Sequence, residues 1–201
     1  MKNLTRLTRS RAARRAAAAA AVATAAAVGS AILAGPGNAA TSQLQHSVLT
    51  VNGTNANDKF ALRLKAGDAG VLQVDVGDDG SSNFNFKRER VARIVVGGRA
   101  GSDSIRIDES NGTFTDTIPT ILSGGDGKDT IAGGAGPERL LGGDGKDSID
   151  GNKGNDVGVL GAGGDTFIWE PGDGSDVVEG QSGTDTMVFN GAAAAEQMNL
   201  L

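Results

Sequence analysis

Cysteine and tyrosine are absent from this 201-residue chain, histidine and tryptophan occur once each, and proline only four times. Without cysteine no disulfide can staple the fold. With six Phe, one Trp and no Tyr, a large globular core is not expected, although the roughly 160 residues beyond the first forty suffice for one domain. A single histidine, His46, gives a His-Glu-x-x-His zinc site or a Ser-His-Asp triad little to work with. No Gly-x-Ser-x-Gly elbow occurs, and Gly180-Gln181-Ser182-Gly183 is one residue short of it. Gly127-Lys128 and Gly145-Lys146 are each followed by Asp where a phosphate loop needs Ser or Thr. These absences argue against an enzyme. Beyond residue 40 no helical periodicity appears except briefly at Ala192–Met198, so the expected fold is all-β, built of short strands and turns.

What the chain has in quantity is glycine, 32 residues, and much of it is ordered in steps of nine. From Gly124 to Asp150 the sequence reads Gly-Gly-Asp-Gly-Lys-Asp-Thr-Ile-Ala, Gly-Gly-Ala-Gly-Pro-Glu-Arg-Leu-Leu, then Gly-Gly-Asp-Gly-Lys-Asp-Ser-Ile-Asp. The acidic position recurs at Asp129, Glu138, Asp147, Asp156 and Asp165 and, after a slip of two residues, at Asp176 and Asp185. Six residues make a turn whose glycines can take φ > 0. The other three make a short strand whose middle side chain points inward. Those middle residues are Ile131, Leu140, Ile149, Phe167, Val178 and Met187. A flexible Gly/Asp segment would explain neither the spacing nor the aliphatics.

This nonapeptide, Gly-Gly-x-Gly-x-Asp-x-apolar-x, resembles the RTX calcium-binding repeat. The resemblance covers residues 98–189 well and 46–97 loosely. It implies a parallel β-roll, or β-solenoid, in which two nonads make one coil and turns two repeats apart stack on one edge and share Ca2+. Calcium takes six to eight oxygens, so convergent backbone carbonyls and a carboxylate at position six suit it. Carried over residue by residue, the implied metal residues are Gly124, Gly125, Asp126, Gly127 and Asp129, then Gly142, Gly143, Asp144, Gly145 and Asp147, with Asp156 and Asp165. One edge is cleaner, holding turns 124–129, 142–147 and 160–165, although Leu160 and Ala162 depart from the pattern. On the other edge Pro137, Glu138 and Gly158 depart from it, and weaker binding is expected there.

The first forty residues read as a signal peptide. A basic stretch (Lys2, Arg6, Arg9, Arg11, Arg14, Arg15) precedes an alanine-rich run from Ala16 to Ala34 and the small residues Gly37-Asn38-Ala39-Ala40. The localisation expected is secreted, or extracellular. Arg14-Arg15 leaves the export route open between the general and twin-arginine pathways, and an uncleaved membrane anchor is the rival reading. A chain that folds only with calcium favours unfolded export, because it would stay open in a low-calcium cytosol. Beyond residue 40 there remain 13 basic residues against 24 acidic ones, a net charge near −11. Such a chain disfavours nucleic acid and anionic membrane as partners and favours cations.

Residues 41–97 are expected to form N-terminal β-strands, read as eroded coils of the same roll. Gly53 to Phe60 and Gly98 to Ile105 each set an acid, Asp58 or Asp103, before an inward apolar residue. The alternative is a small separate β-domain with strands at 60–64, 71–76 and 91–96. Asp75 to Gly80 begins like an EF-hand loop, but Gly77 and Phe86 stand at ligand positions. Lys87-Arg88-Glu89-Arg90 reads as a solvated strand start, and Trp169 as a cap residue. Residues 190–201 are read as a C-terminal tail or incomplete cap. Only about 80 residues separate the leader from the main array, too few for the catalytic domain that such repeats follow in secreted enzymes. The chain is therefore read as a secreted calcium-binding module, with a cell-surface or polymer partner compatible with it. Two rivals stay open: an extracellular enzyme acting on polysaccharide, and an adhesin or matrix protein.

Overall fold

The computed structural model describes residues 40–191 together with two short strands inside the expected leader. The rest of the leader, and the helix expected at Ala192–Met198, lie outside the described residues. Those strands are β1 (Ala23–Thr24) and β2 (Ser30–Ile32); next come β3 (Thr41–Gln45), β4 (Val48–Asn52), β5 (Lys59–Lys65), β6 (Asp68–Val76) and β7 (Phe84–Lys87). After a 3-10 turn at Arg88–Arg90 follow β8 (Arg93–Ala100), β9 (Ser104–Asp108), β10 (Thr120–Gly127), β11 (Thr130–Ala132) and β12 (Glu138–Gly145). The series closes with β13 (Ser148–Asp150), β14 (Val157–Gly163), β15 (Thr166–Trp169), β16 (Val177–Gly183) and β17 (Thr186–Phe189). The described chain is all-β, with no α-helix.

Two sheets contain every strand among the described residues. One runs β1-β7-β6-β5-β9-β11-β13-β15-β17 and the other β16-β14-β12-β10-β8-β4-β3-β2. From β8 onward the chain alternates between them, so each strand pairs in parallel with the strand two further along. In the regular stretch that partner lies 18 residues away, as Leu122 beside Leu140 and Ile131 beside Ile149 show. Two nine-residue steps therefore separate neighbours in one sheet. The β14–β16 and β15–β17 pairs are offset by 20 residues, which reproduces the two-residue slip.

The sheets are mixed, not wholly parallel. All the antiparallel pairs among the described strands, β2–β3, β3–β4, β5–β6 and β6–β7, precede residue 90. The cause is local. Gln45 faces Val48 across a two-residue turn, His46-Ser47, in which both φ angles are positive (49° and 63°), and only a reversal fits so short a link. The Ala66-Gly67 link between β5 and β6 acts likewise, with Gly67 at φ 75°. Around these hairpins, β4 and β5 pair in parallel with β8 and β9 and so share both sheets with the repeats.

Apolar side chains stack in register between the sheets. One row runs Val51, Val96, Leu122, Leu140, Gly158 and Val178; the facing row runs Phe60, Ile105, Ile131, Ile149, Phe167 and Met187. Of the residues expected to point inward, Ile131, Leu140, Ile149 and Phe167 are buried and Val178 packs against them in part. Met187 is 48 % exposed, contrary to expectation. It lies on β17, the last strand of its sheet among the described residues. Gly158 interrupts its row without leaving a hole, since a Cβ there would meet the Phe167 ring at 2.8 Å. The ring fills the space that a side chain at 158 would take.

That packing is testable. Gly158→Leu is expected to destabilise the folded protein by about 1–3 kcal/mol through overpacking. Phe167→Leu in the same chain should return part of the loss, because the two residues contend for one space. Denaturant midpoints of the two single variants and the double variant, in calcium-containing buffer, give the coupling. Strict additivity would count against the exchange.

Candidate metal centre

The turns that join the sheets stack backbone on backbone. Gly125, Gly143 and Gly161 occupy one register position at φ 112°, 118° and 110°. A Cβ on any of them would overlap the carbonyl of the equivalent residue one turn earlier, namely Arg99, Gly125 and Gly143. Gly127, Gly145 and Gly163 stand in the same relation to Gly101, Gly127 and Gly145. Only glycine allows so close an approach. Gly124 and Gly142 serve differently, for their bare α-carbons lie against Oδ2 of Asp129 and Asp147, the acids of their own turns.

The acids form two rows. In the first, the backbone N–H of Asp58 donates to Oδ1 of Asp103 (2.7 Å), Asp103 N–H to Asp129 (2.7 Å), Asp129 N–H to Asp147 (2.8 Å), Asp147 N–H to Asp165 (2.8 Å) and Asp165 N–H to Asp185 (3.1 Å). In the second, Glu138 N–H donates to Oδ1 of Asp156 (2.7 Å) and Asp156 N–H to Asp176 (2.9 Å). Each bond uses one carboxylate oxygen and leaves the other. Among the described residues eight buried side-chain polar atoms lack a hydrogen-bond partner, and seven are carboxylate oxygens of these rows: Oδ2 of Asp103, Asp129, Asp147, Asp156, Asp165 and Asp176, and Oε1 of Glu138.

A buried anionic oxygen without a partner is costly, and it recruits either a proton or a cation. Burial pushes the Asp103 and Asp147 carboxyls up to about 6, Glu138 to about 7 and Asp156 to about 8. Asp129 and Asp176 are raised by the same cause. Neighbouring acids in the row add to the effect at Asp103, Asp147 and Asp156. Among the described residues no three acidic or histidine side chains converge as a metal cluster. A cation here would draw on one acid per turn and on carbonyls for the rest, an all-oxygen set that fits a hard divalent ion and calcium above all.

Of the residues expected from sequence, Asp129, Asp147, Asp156 and Asp165 are buried in the rows, and Gly124, Gly125, Gly127, Gly142, Gly143 and Gly145 line the stacked turns. The side chains of Asp126 and Asp144 are not brought to the rows. They sit side by side on the sheet, exposed, and contribute negative charge near Asp129 and Asp147. Glu138, expected to weaken its edge, takes its place in the second row, with Oε2 accepting the Gly134 N–H (2.7 Å). Asp103 and Asp176 belong to the rows without having been assigned to the site. Their signal was present, since both precede a strand at the acidic position.

Other candidates have local explanations. Asp75 pairs with Arg63 in the interior (2.8 Å) and accepts the Gly80 N–H, while Asp78 pairs with Arg106 through two bonds of 2.7 Å. Arginines therefore hold the loop that begins like an EF-hand. Lys87 and Glu89 make only an exposed ion pair at 3.8 Å, worth little. Trp169 stacks on Phe189, ring centres 4.5 Å apart, and its Nε1 donates to the Gly174 carbonyl.

Two outcomes follow from this geometry. Gly124→Ala should cost about 1–3 kcal/mol and weaken calcium binding, because its methyl group overlaps the Asp129 carboxylate. Gly97→Ala, one residue short of a turn and in open space, should change neither, as thermal melts with and without calcium would report. The second concerns pH. The carboxyls of Asp103, Glu138, Asp147 and Asp156 are raised in the folded chain and ordinary, near 4, in the unfolded one. Without divalent cation the folded state therefore binds more protons between about pH 4 and 8. Its stability is highest below about pH 4 and is lost as pH rises through 6 to 8. Circular dichroism of metal-stripped protein across that range should show β-structure retained at the acid end only.

The family described as RTX calcium-binding nonapeptide repeat, in four copies, matches residues 121–137, 133–167 and 172–191, together about a third of the chain. No curated protein and no solved structure matches. The matched residues span the stacked turns and both acid rows from Asp129 to Asp185. With its period, its turn glycines and its paired rows of acids, the chain carries RTX calcium-binding nonapeptide repeats.

Proposed function

We propose that this chain is a secreted calcium-binding β-roll in which Ca2+, held between stacked Gly/Asp turns, completes the fold. The observation that carries the reading is the set of seven buried carboxylate oxygens without partners, spaced turn by turn along two rows. Asp129, Asp147 and Asp165 would hold the ion series on the first edge and Glu138, Asp156 and Asp176 on the second, with backbone carbonyls of the glycine turns as the remaining ligands. Gly124, Gly125, Gly127, Gly142, Gly143 and Gly145 make room for those oxygens. Asp126 and Asp144 raise the local negative potential and so the attraction for cations. The chemistry supplied by the ion is charge neutralisation at buried oxygens.

The consequence is metal-coupled folding. Unneutralised, the row acids oppose the stacking that the apolar rows favour; neutralised, they link one turn to the next. Binding and folding are then one equilibrium, suited to a protein exported open and closed outside the cell. Its role is structural or interactive, not catalytic, with a cell-surface or polymer partner. The leader, residues 1–40, directs the export.

Calcium titration of the mature chain tests this. Extracellular calcium modules bind at about 10⁻⁴ to 10⁻³ M, and circular dichroism should pass from disordered to β-rich over that range, with magnesium a poor substitute. An unchanged spectrum up to about 10 mM calcium would sink the proposal. Asp147→Ala should lower affinity more than Glu138→Ala, because Asp147 has acidic neighbours on both sides of its row and Glu138 on one. Asp129→Ala and Asp147→Ala should be non-additive, whereas Asp129→Ala and Glu138→Ala, in different rows, should come close to adding.

A further inference from the structure

The first acid row continues upstream of the matched repeats. The match begins at residue 121, yet Asp103 stands in line with Asp129, accepts the Asp58 N–H at 2.7 Å and donates its own N–H to Asp129 at 2.7 Å. Asp103 is 3 % exposed, and its Oδ2 has no partner. The surroundings repeat those of a matched turn. At Gly142 the bare α-carbon faces Asp147 Oδ2 and the carbonyl of Leu160, one turn on; at Gly98 it faces Asp103 Oδ2 and the carbonyl of Gly124, one turn on. Both of these oxygens are acceptors, and neither can donate to the other. Of the two cations nearest in sequence, Arg106 pairs with Asp78 and Asp108 and Arg99 is exposed, and neither makes an ion pair with Asp103 among the described residues.

One turn earlier the arrangement changes. Gly53 again faces the acid of its turn, Asp58, and the carbonyl of Gly98. Here, however, Asp58 Oδ2 accepts both the backbone N–H of Thr54 (2.6 Å) and its hydroxyl (2.9 Å). The oxygen that is orphaned at Asp103 is satisfied at Asp58. A comparable hydroxyl stands at the head of the second row, where Thr115 donates to Glu109 and accepts the N–H groups of Ala135 and Gly136.

We propose that turn 98–103 holds a further divalent cation of the calcium type, with Asp103 and the Gly124 carbonyl among its ligands, and that the series ends there because Thr54 satisfies Asp58 in the cation's place. This rests on the calcium reading of the matched repeats and extends it to residues outside them. The turn 53–58 is then a cation-independent end of the array, against which the first ion-dependent turn is laid.

Counting calcium equivalents on the full mature chain by isothermal titration, with equilibrium dialysis as a check, decides the matter. Asp103→Asn keeps the Oδ1 acceptor and should lower the stoichiometry by one equivalent, with the spectrum of the calcium-loaded protein retained. Asp58→Asn should leave it unchanged. If Asp103→Asn does not fold, Gly98→Ala, which sets a methyl group against the same carboxylate while keeping its charge, should show the same loss. An unchanged stoichiometry in the Asp103 or Gly98 variant, or a loss of one equivalent in Asp58→Asn, overturns the proposal. A wild-type chain that takes up no calcium refutes the reading beneath it instead.

Discussion

A backbone N–H donated from one buried acid to the carboxylate of the acid one turn further on is the bond around which this structure is organised. It fixes the turn-to-turn register, because Asp129, Asp147 and Asp165 can each serve both as donor and as acceptor only if the turns are stacked in phase. Phase in turn aligns the apolar rows, so that Leu122 lies beside Leu140 and Ile131 beside Ile149. The same bond commits one oxygen of the accepting carboxylate, and at Asp103, Asp129, Asp147, Asp156, Asp165 and Asp176 the other oxygen is buried without a partner. Structural order and the demand for a counter-charge thus come from one arrangement.

The glycines make that arrangement sterically feasible. Where Gly125, Gly143 and Gly161 approach the turn before them, an added side chain would occupy the space of a carbonyl oxygen. The same register position holds Arg99 at φ 85° and Gln181 at φ 66° in the turns that flank them. Glycine is thus unbroken at this position only in the interior of the array. With a few apolar rows and no disulfide, the interior is thin, and the energetic weight shifts to the turns.

Much of this was legible in the residues because the nine-residue period encodes both the acid spacing and the strand spacing. The rows of Asp129, Asp147 and Asp165, and the burial of Ile131, Leu140, Ile149 and Phe167, follow from that period. What escaped lies where the period is broken. Asp103 is 26 residues from Asp129, because the segment after β9 loops out around Glu109, whose carboxylate gathers the N–H groups of Phe114 and Thr115. The hairpins before residue 90 escaped because two non-glycine residues, His46 and Ser47, adopt the positive φ that the reversal needs. Asp126 and Asp144 resemble ligands in sequence, but their side chains are exposed near the ends of β10 and β12, whereas Asp129 and Asp147 are buried in the turns that follow. Met187 has the right period but is half-exposed, in the last strand of its sheet among the described residues.

The eighteen-residue register also sets how such a chain can change in length. Removing or adding 18 residues within 120–169 returns every following strand to its own sheet and every following acid to its own row, so the alteration is absorbed as one layer more or fewer. A change of nine would transfer each downstream strand to the opposite sheet and send Asp147 and Asp165 into the row of Glu138 and Asp156. Any other number is tolerated only where a loop takes it up, as the two extra residues between β15 and β16 are; within the strands it would bring polar side chains into the apolar rows. Variation in this architecture is therefore quantised, and the unit of inheritance is the full circuit through both sheets, not the nonapeptide that repeats in the sequence.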